Sequence, residues 1–127
     1  MTDELTDLQL AGVARRLELT HYVLEVAEPS RQKAWHSTSN PSSTDIGLYA
    51  LLDLIEEFEL TEIDEEIRSF LALDQKEATA ISSFARRIKA LVRALGSTYD
   101  NDVYTRSKDW PACIEEAQRC LRTLFRL

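Results

Sequence analysis

The segment from Asp74 to Gly96 constrains the fold of this chain more than any other. Its apolar side chains recur at spacings of three and four residues, which places them on one face of an α-helix. Asp74 and Glu77 have the spacing of a capping box, and Gly96 suits the left-handed residue that follows a last helical turn. The segment therefore predicts a long central helix over 74–95, with a buried face made of Ala78, Ile81, Ala85, Ile88, Val92 and Leu95.

Four further segments have helical apolar periodicity, and a short extended piece over 103–105 is the one alternative to helix or loop. Thr61 followed by Asp64 resembles a capping box for a short helix, and Asp109 before Pro111 indicates the start of the last one. We predict an all-α, single-domain bundle of about five helices within residues 1–127. The polar stretch between Gly96 and Asp109 is predicted as a loop, and the helices span roughly 6–27, 45–58, 61–72, 74–95 and 109–126.

The first of these helices has an apolar stripe with the same spacing as the central helix. Gly12 lies inside it, either at a surface position, which is the plainer interpretation, or where another helix approaches closely. Pro29 ends it, and Trp35 in the polar segment that follows is predicted to anchor that segment to the body. The stripe predicts burial of Leu10, Val13, Leu17, Thr20, Leu24 and Ala27.

Composition limits the class of protein. With 127 residues the chain is long enough for a hydrophobic core, and only three Gly and three Pro argue against a β-sandwich. No apolar run approaches the roughly 20 residues of a membrane span. The N-terminus, MTDELTDLQL, is acidic and unlike a secretory signal, so we expect a cytoplasmic, bacterial-type protein with no membrane association.

The two cysteines lie seven residues apart on one predicted helix. Two helical turns separate Cys113 from Cys120 by about 10 Å, which is too far for a disulfide between them. We interpret them as reduced, partly buried side chains, with an intermolecular bridge or a reactive thiol as the alternative.

Motifs for catalysis or for a cofactor are weak in this sequence. Glu18 and His21 form one Glu-x-x-His pair, with Glu25 a turn further on, but carboxylate-bridged di-iron bundles need a second such pair. A helical bundle that binds a metal or catalyses a reaction through Glu18, His21 and Glu25 is therefore an alternative hypothesis. We assign no catalytic residue, no metal and no cofactor.

The most conspicuous polar feature is a run of acidic residues. No Lys or Arg occurs between Lys33 and Arg68, whereas eight carboxylates occur within residues 53–66. They either form a solvated face or provide a docking surface for a basic protein. Calcium binding fits less well, because the spacing of an EF-hand loop is absent. The candidate partner-binding residues are Asp53, Glu56, Glu57, Glu59, Glu62, Asp64, Glu65 and Glu66.

Charge is distributed unevenly along the chain. Residues 1–67 hold 15 acidic and 4 basic side chains, a net charge of −11, and residues 68–127 hold 7 acidic and 11 basic, a net charge of +4. The overall charge of −7 disfavours nucleic-acid binding. The basic side chains either cover apolar surface and pair with acids of other helices, or mediate a homodimer through opposite charges: Arg86, Arg87, Lys89, Arg93, Arg119, Arg122 and Arg126.

The C-terminal two thirds resemble a group of small bacterial helical proteins. The pattern is D-x-x-E-A at Asp74, a long helix ending in Leu95-Gly96, a loop with Tyr104, and W-P-x-x-I-x-x-A from Trp110 to Ala117, with Trp35 and Tyr49 upstream. Some proteins of that kind are immunity partners of toxins. The resemblance implies a non-enzymatic interaction protein, and the acidic run implies a basic protein partner.

Overall fold

A computed structural model describes residues 4–31, 48–96 and 101–127, and these residues contain six α-helices and no strand. The all-α prediction is therefore confirmed, and the described residues contain six helices where about five were predicted. They are α1 (Asp7–Ala27), α2 (Leu48–Glu57), α3 (Glu65–Phe70), α4 (Gln75–Leu95), α5 (Asn101–Thr105) and α6 (Trp110–Phe125), with 3₁₀ turns at Pro29–Arg31 and Leu60–Glu62.

The central helix α4 forms as the sequence predicts. The Asp74 carboxylate accepts from the Glu77 amide at 2.8 Å, and the Glu77 carboxylate accepts from the Asp74 amide at 2.9 Å. Gly96 follows the helix at φ 83°, which a side chain would disfavour. Phe84 and Leu91, which are not among the six residues of the predicted stripe, are more buried than Val92 and Leu95 at its end.

Helices α1, α4 and α6 form the main layer of the molecule. Helix α6 packs along both α1 and α4, while α2 and the Leu60–Glu62 turn pack against the other side of α4. One hydrophobic core connects all of them, with Phe84, Ile88 and Leu60 fully enclosed. None of the described helices is both long and apolar enough to cross a membrane.

Helix α1 is rotated relative to the prediction. Leu10, Val13 and Leu17 of the predicted stripe are exposed, and the buried side of the helix carries Leu19 and Val23 instead. The reason lies in two residues that do not look like core residues. Gly12 and Arg16 share the buried side, and both contact the junction between α3 and α4.

At Gly12, α1 closely approaches the backbone at the end of α3. A Cβ at this position would overlap the carbonyl oxygen of Phe70 and lie 3.1 Å from its carbonyl carbon. The plainer interpretation of Gly12 as a surface glycine is therefore wrong. Only glycine lets α1 reach the end of α3.

Arg16 connects α1 to the same junction through hydrogen bonds and an ion pair. Its guanidinium donates to the backbone carbonyls of Leu71 and Ala72, and Nη2 lies 2.9 Å from Glu77 Oε2. Since Glu77 also caps α4, a single arginine connects the middle of α1 to the start of the central helix.

Several predicted boundaries are corrected. The helix expected over 61–72 is only α3, because Asp64, not Thr61, caps it by accepting from the Ile67 amide, and the preceding residues form the Leu60–Glu62 turn. The predicted loop after Gly96 contains α5, where the buried Tyr104 donates its hydroxyl to the Gly96 carbonyl at 2.8 Å. Asp109 precedes α6 without a side-chain capping bond. The start of the helix expected at 45 and the environment of Trp35 lie outside the described residues.

Candidate functional site

The acidic run forms one wall of an open groove. All eight predicted carboxylates are exposed, and the structure gathers four of them around a single depression of about 650 Å³ between the turn after α2 and the flank of α4. We call it the acidic groove, and its lining comprises Ile55, Glu56, Glu59, Thr61, Glu62, Ile63, Asp64 and Lys89.

The chain reversal after α2 brings these acids together. Glu59 follows the last turn in the left-handed conformation, at φ 49° and ψ 50°, and Leu60 next to it is fully buried. A left-handed residue other than glycine costs about 1–2 kcal/mol, so burial of Leu60 helps to hold the turn. The reversal then places Glu56, Glu59 and Glu62 on the same side.

Two cationic side chains of α4 connect it to this turn. Arg86 Nε donates to the Thr61 carbonyl at 2.7 Å, and Lys89 Nζ lies 3.2 Å from Glu56 Oε1. The prediction that the basic residues pair with acids of other helices is thus confirmed for Lys89. Sequence reasoning did not foresee that Arg86 fixes the edge of the groove, since its partner is a backbone carbonyl.

Among the described residues, two carboxylates of the groove have no ion-pair partner. Within residues 4–31, 48–96 and 101–127, no cation lies within ion-pair distance of Glu59 or Glu62. Asp64 is occupied at one oxygen by the Ile67 amide at 2.8 Å. The described residues therefore line the groove with four carboxylates and one ammonium group, an excess of negative charge.

The other four candidate acids lie outside the acidic groove. Asp53 lines a smaller neighbouring groove of about 370 Å³ together with Arg93, and the Glu56–Lys89 pair contributes to both grooves. Glu57 faces α1, where it lies 3.3 Å from Arg15 Nη2. Glu65 and Glu66 are exposed in the first turn of α3. The predicted surface thus divides into a groove and a periphery.

At the alternative centre of Glu18, His21 and Glu25, each carboxylate forms an ion pair with a neighbouring arginine. Glu18 lies 3.0 Å from Arg15 Nη1, and Glu25 lies 3.4 Å from His21 Nε2 and 3.3 Å from Arg31 Nη1. Neighbouring cations thus satisfy both carboxylates. In the described parts of the chain, no group of three or more His, Cys, Asp and Glu side chains is arranged to hold a metal ion.

Both cysteines are free and buried in the core, not at a reactive surface. They are at most 1% exposed, and burial raises the pKa of Cys113 to about 11 and that of Cys120 to about 12. Thiolates are the nucleophilic form of cysteine, so these environments disfavour thiol chemistry.

The raised thiol pKa values predict a loss of stability in alkali. Both folded pKa values exceed the value of 9.0 for an unperturbed thiol. The stabilisation of the fold by the buried, protonated thiols is therefore complete below pH 9 and is lost as the pH rises through 11 and 12. Between pH 9 and 10 we expect the two thiols together to lower the free energy of unfolding by about 2 kcal/mol. Urea unfolding at both pH values measures this. The double variant Cys113→Ala/Cys120→Ala is the control, and an equal loss in that variant contradicts the assignment.

Compared with known protein families, curated proteins and solved structures, the chain matches none.

Proposed function

We propose that this protein is a non-enzymatic binding domain and that the acidic groove receives a basic segment of a partner protein. One observation carries the proposal: four exposed carboxylates line one groove, and Glu59 and Glu62 among them lack an ion-pair partner within the described residues. A lysine or arginine from a partner would supply the missing positive charge.

Recognition would proceed in two stages. The whole run of eight acids attracts a basic surface at long range, which raises the association rate. Side chains of the partner then enter the groove, where a guanidinium can bind Glu59 and Glu62 and compete with Lys89 for Glu56. The acids outside the groove (Asp53, Glu57, Glu65 and Glu66) contribute to attraction more than to the final contact.

A binder of this kind acts by occlusion. The resemblance to small bacterial helical proteins, some of which are immunity partners of toxins, supports a cytoplasmic inhibitor that covers a basic working surface of its target. Binding alone is sufficient for such an inhibitor, so the mechanism is steric and electrostatic and includes no bond chemistry. The same negative field repels nucleic acid.

The test compares two variants that change the charge equally. The groove variant carries Glu56→Gln, Glu59→Gln and Glu62→Gln, and the control carries Glu28→Gln, Asp109→Asn and Glu115→Gln, three exposed acids elsewhere. Each is immobilised and exposed to lysate of the source cells, and captured proteins are quantified by mass spectrometry. We expect the groove variant to lose a basic partner by at least about tenfold, while the control retains it.

A third variant separates the groove from its periphery. Glu65→Gln with Glu66→Gln should reduce capture only slightly at physiological salt, because exposed charges beyond the contact are screened. Equal retention by the groove variant and the control variant contradicts the proposed function, and so does equal loss.

A further inference from the structure

Exposed apolar side chains are concentrated at the start of α1 and at the end of α6. Nine large apolar side chains are exposed in the described residues, and seven of them belong to the first half of α1, with the residues before it, or to the end of α6. Among them, Leu8 is 69% exposed and Leu17 is 66% exposed. Leu10, Val13 and Leu17 share one face of α1, whereas Leu5 and Leu8 do not, and a contiguous exposed apolar face marks an interaction surface more often than scattered side chains do. The seven are Leu5, Leu8, Leu10, Val13, Leu17, Phe125 and Leu127.

On α1 this surface is the uncovered half of a longer stripe. Leu10, Val13 and Leu17 continue at the same spacing into Thr20, Leu24 and Ala27. The latter three are half-buried or buried where α1 packs along α6, and Gln118 of α6 donates to the Ala27 carbonyl at 3.0 Å. The fold therefore covers only the C-terminal part of the stripe that the sequence predicts.

The direction of α6 explains why this helix covers only the C-terminal part of the α1 stripe. The positive charge of Arg87 is close enough to Cys113 to act against the rise in its pKa that burial causes, and residues 75–83 line one groove with residues 116–123. The later part of α4 thus lies beside the start of α6, and the two helices run antiparallel. The end of α6 therefore lies near the start of α4, where Arg16 of α1 binds Glu77. Helix α6 ends level with the middle of α1, and the first half of α1 extends beyond it.

We propose that a second copy of this chain covers this surface, with the first halves of the two α1 helices packed antiparallel about a two-fold axis near Leu10 and Val13. A two-fold axis uses the same patch on both copies, so each stripe supplies the cover that the other lacks. The helix of the second copy then occupies the place along α1 where α6 ends.

The charges at the two helix ends complement each other in this arrangement. The residues at the start of α1 include Glu4 and Asp7, and the last turns of α6 carry Arg122 and Arg126, which have no ion pair within the described residues. An antiparallel pair brings the start of one α1 beside the end of the other copy's α6. Acids then face arginines, and the positive end of one helix dipole faces the negative end of another. Complementarity of this kind favours a second copy over an unrelated apolar partner.

The oligomeric state of the purified protein tests the proposal. Sedimentation equilibrium over a range of concentrations should show a monomer–dimer equilibrium. Leu10→Gln with Leu17→Gln should raise the dimer dissociation constant by roughly a hundredfold or more. The control, Leu95→Gln with Val103→Gln, changes two exposed apolar residues elsewhere and should leave the constant unchanged. Unfolding at low protein concentration checks that each variant remains folded.

Exchanging opposite charges across the interface provides a second, independent test of the dimer. Asp7→Lys alone and Arg126→Glu alone should each weaken the dimer several-fold, and the two together should recover part of that loss, because the pair formed by positions 7 and 126 again joins opposite charges. A wild-type monomer at all concentrations overturns the proposal, as does a dimer that survives the Leu10 and Leu17 changes or an additive loss in the charge-exchanged variant. Since the acidic groove is on other helices, partner capture and dimerisation fail independently.

Discussion

Gly12→Ala should lower the free energy of unfolding by about 2 kcal/mol, although alanine is the better helix former. The substitution gains about 1 kcal/mol of helix propensity. Against this, the new Cβ overlaps the Phe70 carbonyl oxygen, a backbone atom that no rotamer change can remove. Overpacking against a rigid neighbour costs about 3 kcal/mol. This steric cost exceeds the gain in helix propensity, so the substitution destabilises the fold.

The matched control for this prediction is Ala14→Gly, two residues further along α1 at an exposed position. It changes helix propensity in the opposite direction without a tertiary contact and should cost about 1 kcal/mol. Chemical denaturation of both variants measures the two terms separately. If Gly12→Ala is as stable as the wild type or more stable, α1 does not approach α3 in the way described.

Arg16→Ala should destabilise the fold by about 2–3 kcal/mol, because charged hydrogen bonds to half-buried partners are lost together. The guanidinium holds the Leu71 and Ala72 carbonyls and Glu77, whose side chain is only 13% exposed. Without Arg16, Glu77 keeps its capping role but loses its only cation within the described residues. Arg16→Lys should recover part of the loss, since lysine keeps the charge but lacks the planar fork.

The neighbouring arginine is the control for Arg16. Arg15 also makes two ion pairs, with Glu18 and Glu57, but all three side chains are at least 40% exposed. Exposed pairs contribute roughly 0–1 kcal/mol, so Arg15→Ala should have a small effect. Thermal unfolding at low and high salt distinguishes the two sites. Equal losses for Arg15→Ala and Arg16→Ala contradict the assignment of Arg16 as the fastening residue.

The comparison of sequence with structure shows where local patterns are sufficient. Helix α4 could be predicted nearly to the residue, because its caps and its stripe are local signals. Helix α1 could be located but not oriented. Its predicted stripe and its buried side both have helical spacing, and the choice depends on a glycine and an arginine that tertiary contacts draw inward.

The candidate site shows the same division. The exposure of the eight acids follows from their charge and could be predicted. Their grouping could not, because it depends on the left-handed Glu59 and on Arg86 reaching a backbone carbonyl across the turn. Helix α5 was missed for a related reason: its sequence is polar, and burial of Tyr104 and its bond to Gly96 stabilise a helix that local propensity does not favour.

Carboxylate footprinting in the presence and absence of the captured partner tests the central claim most directly. Modification of exposed carboxyl groups, read by mass spectrometry, reports the accessibility of each acid separately. We expect the partner to protect Glu56, Glu59 and Glu62, while Glu28 and Glu115 stay as reactive as in the free protein. Unchanged reactivity of the three groove acids with a partner bound would contradict it.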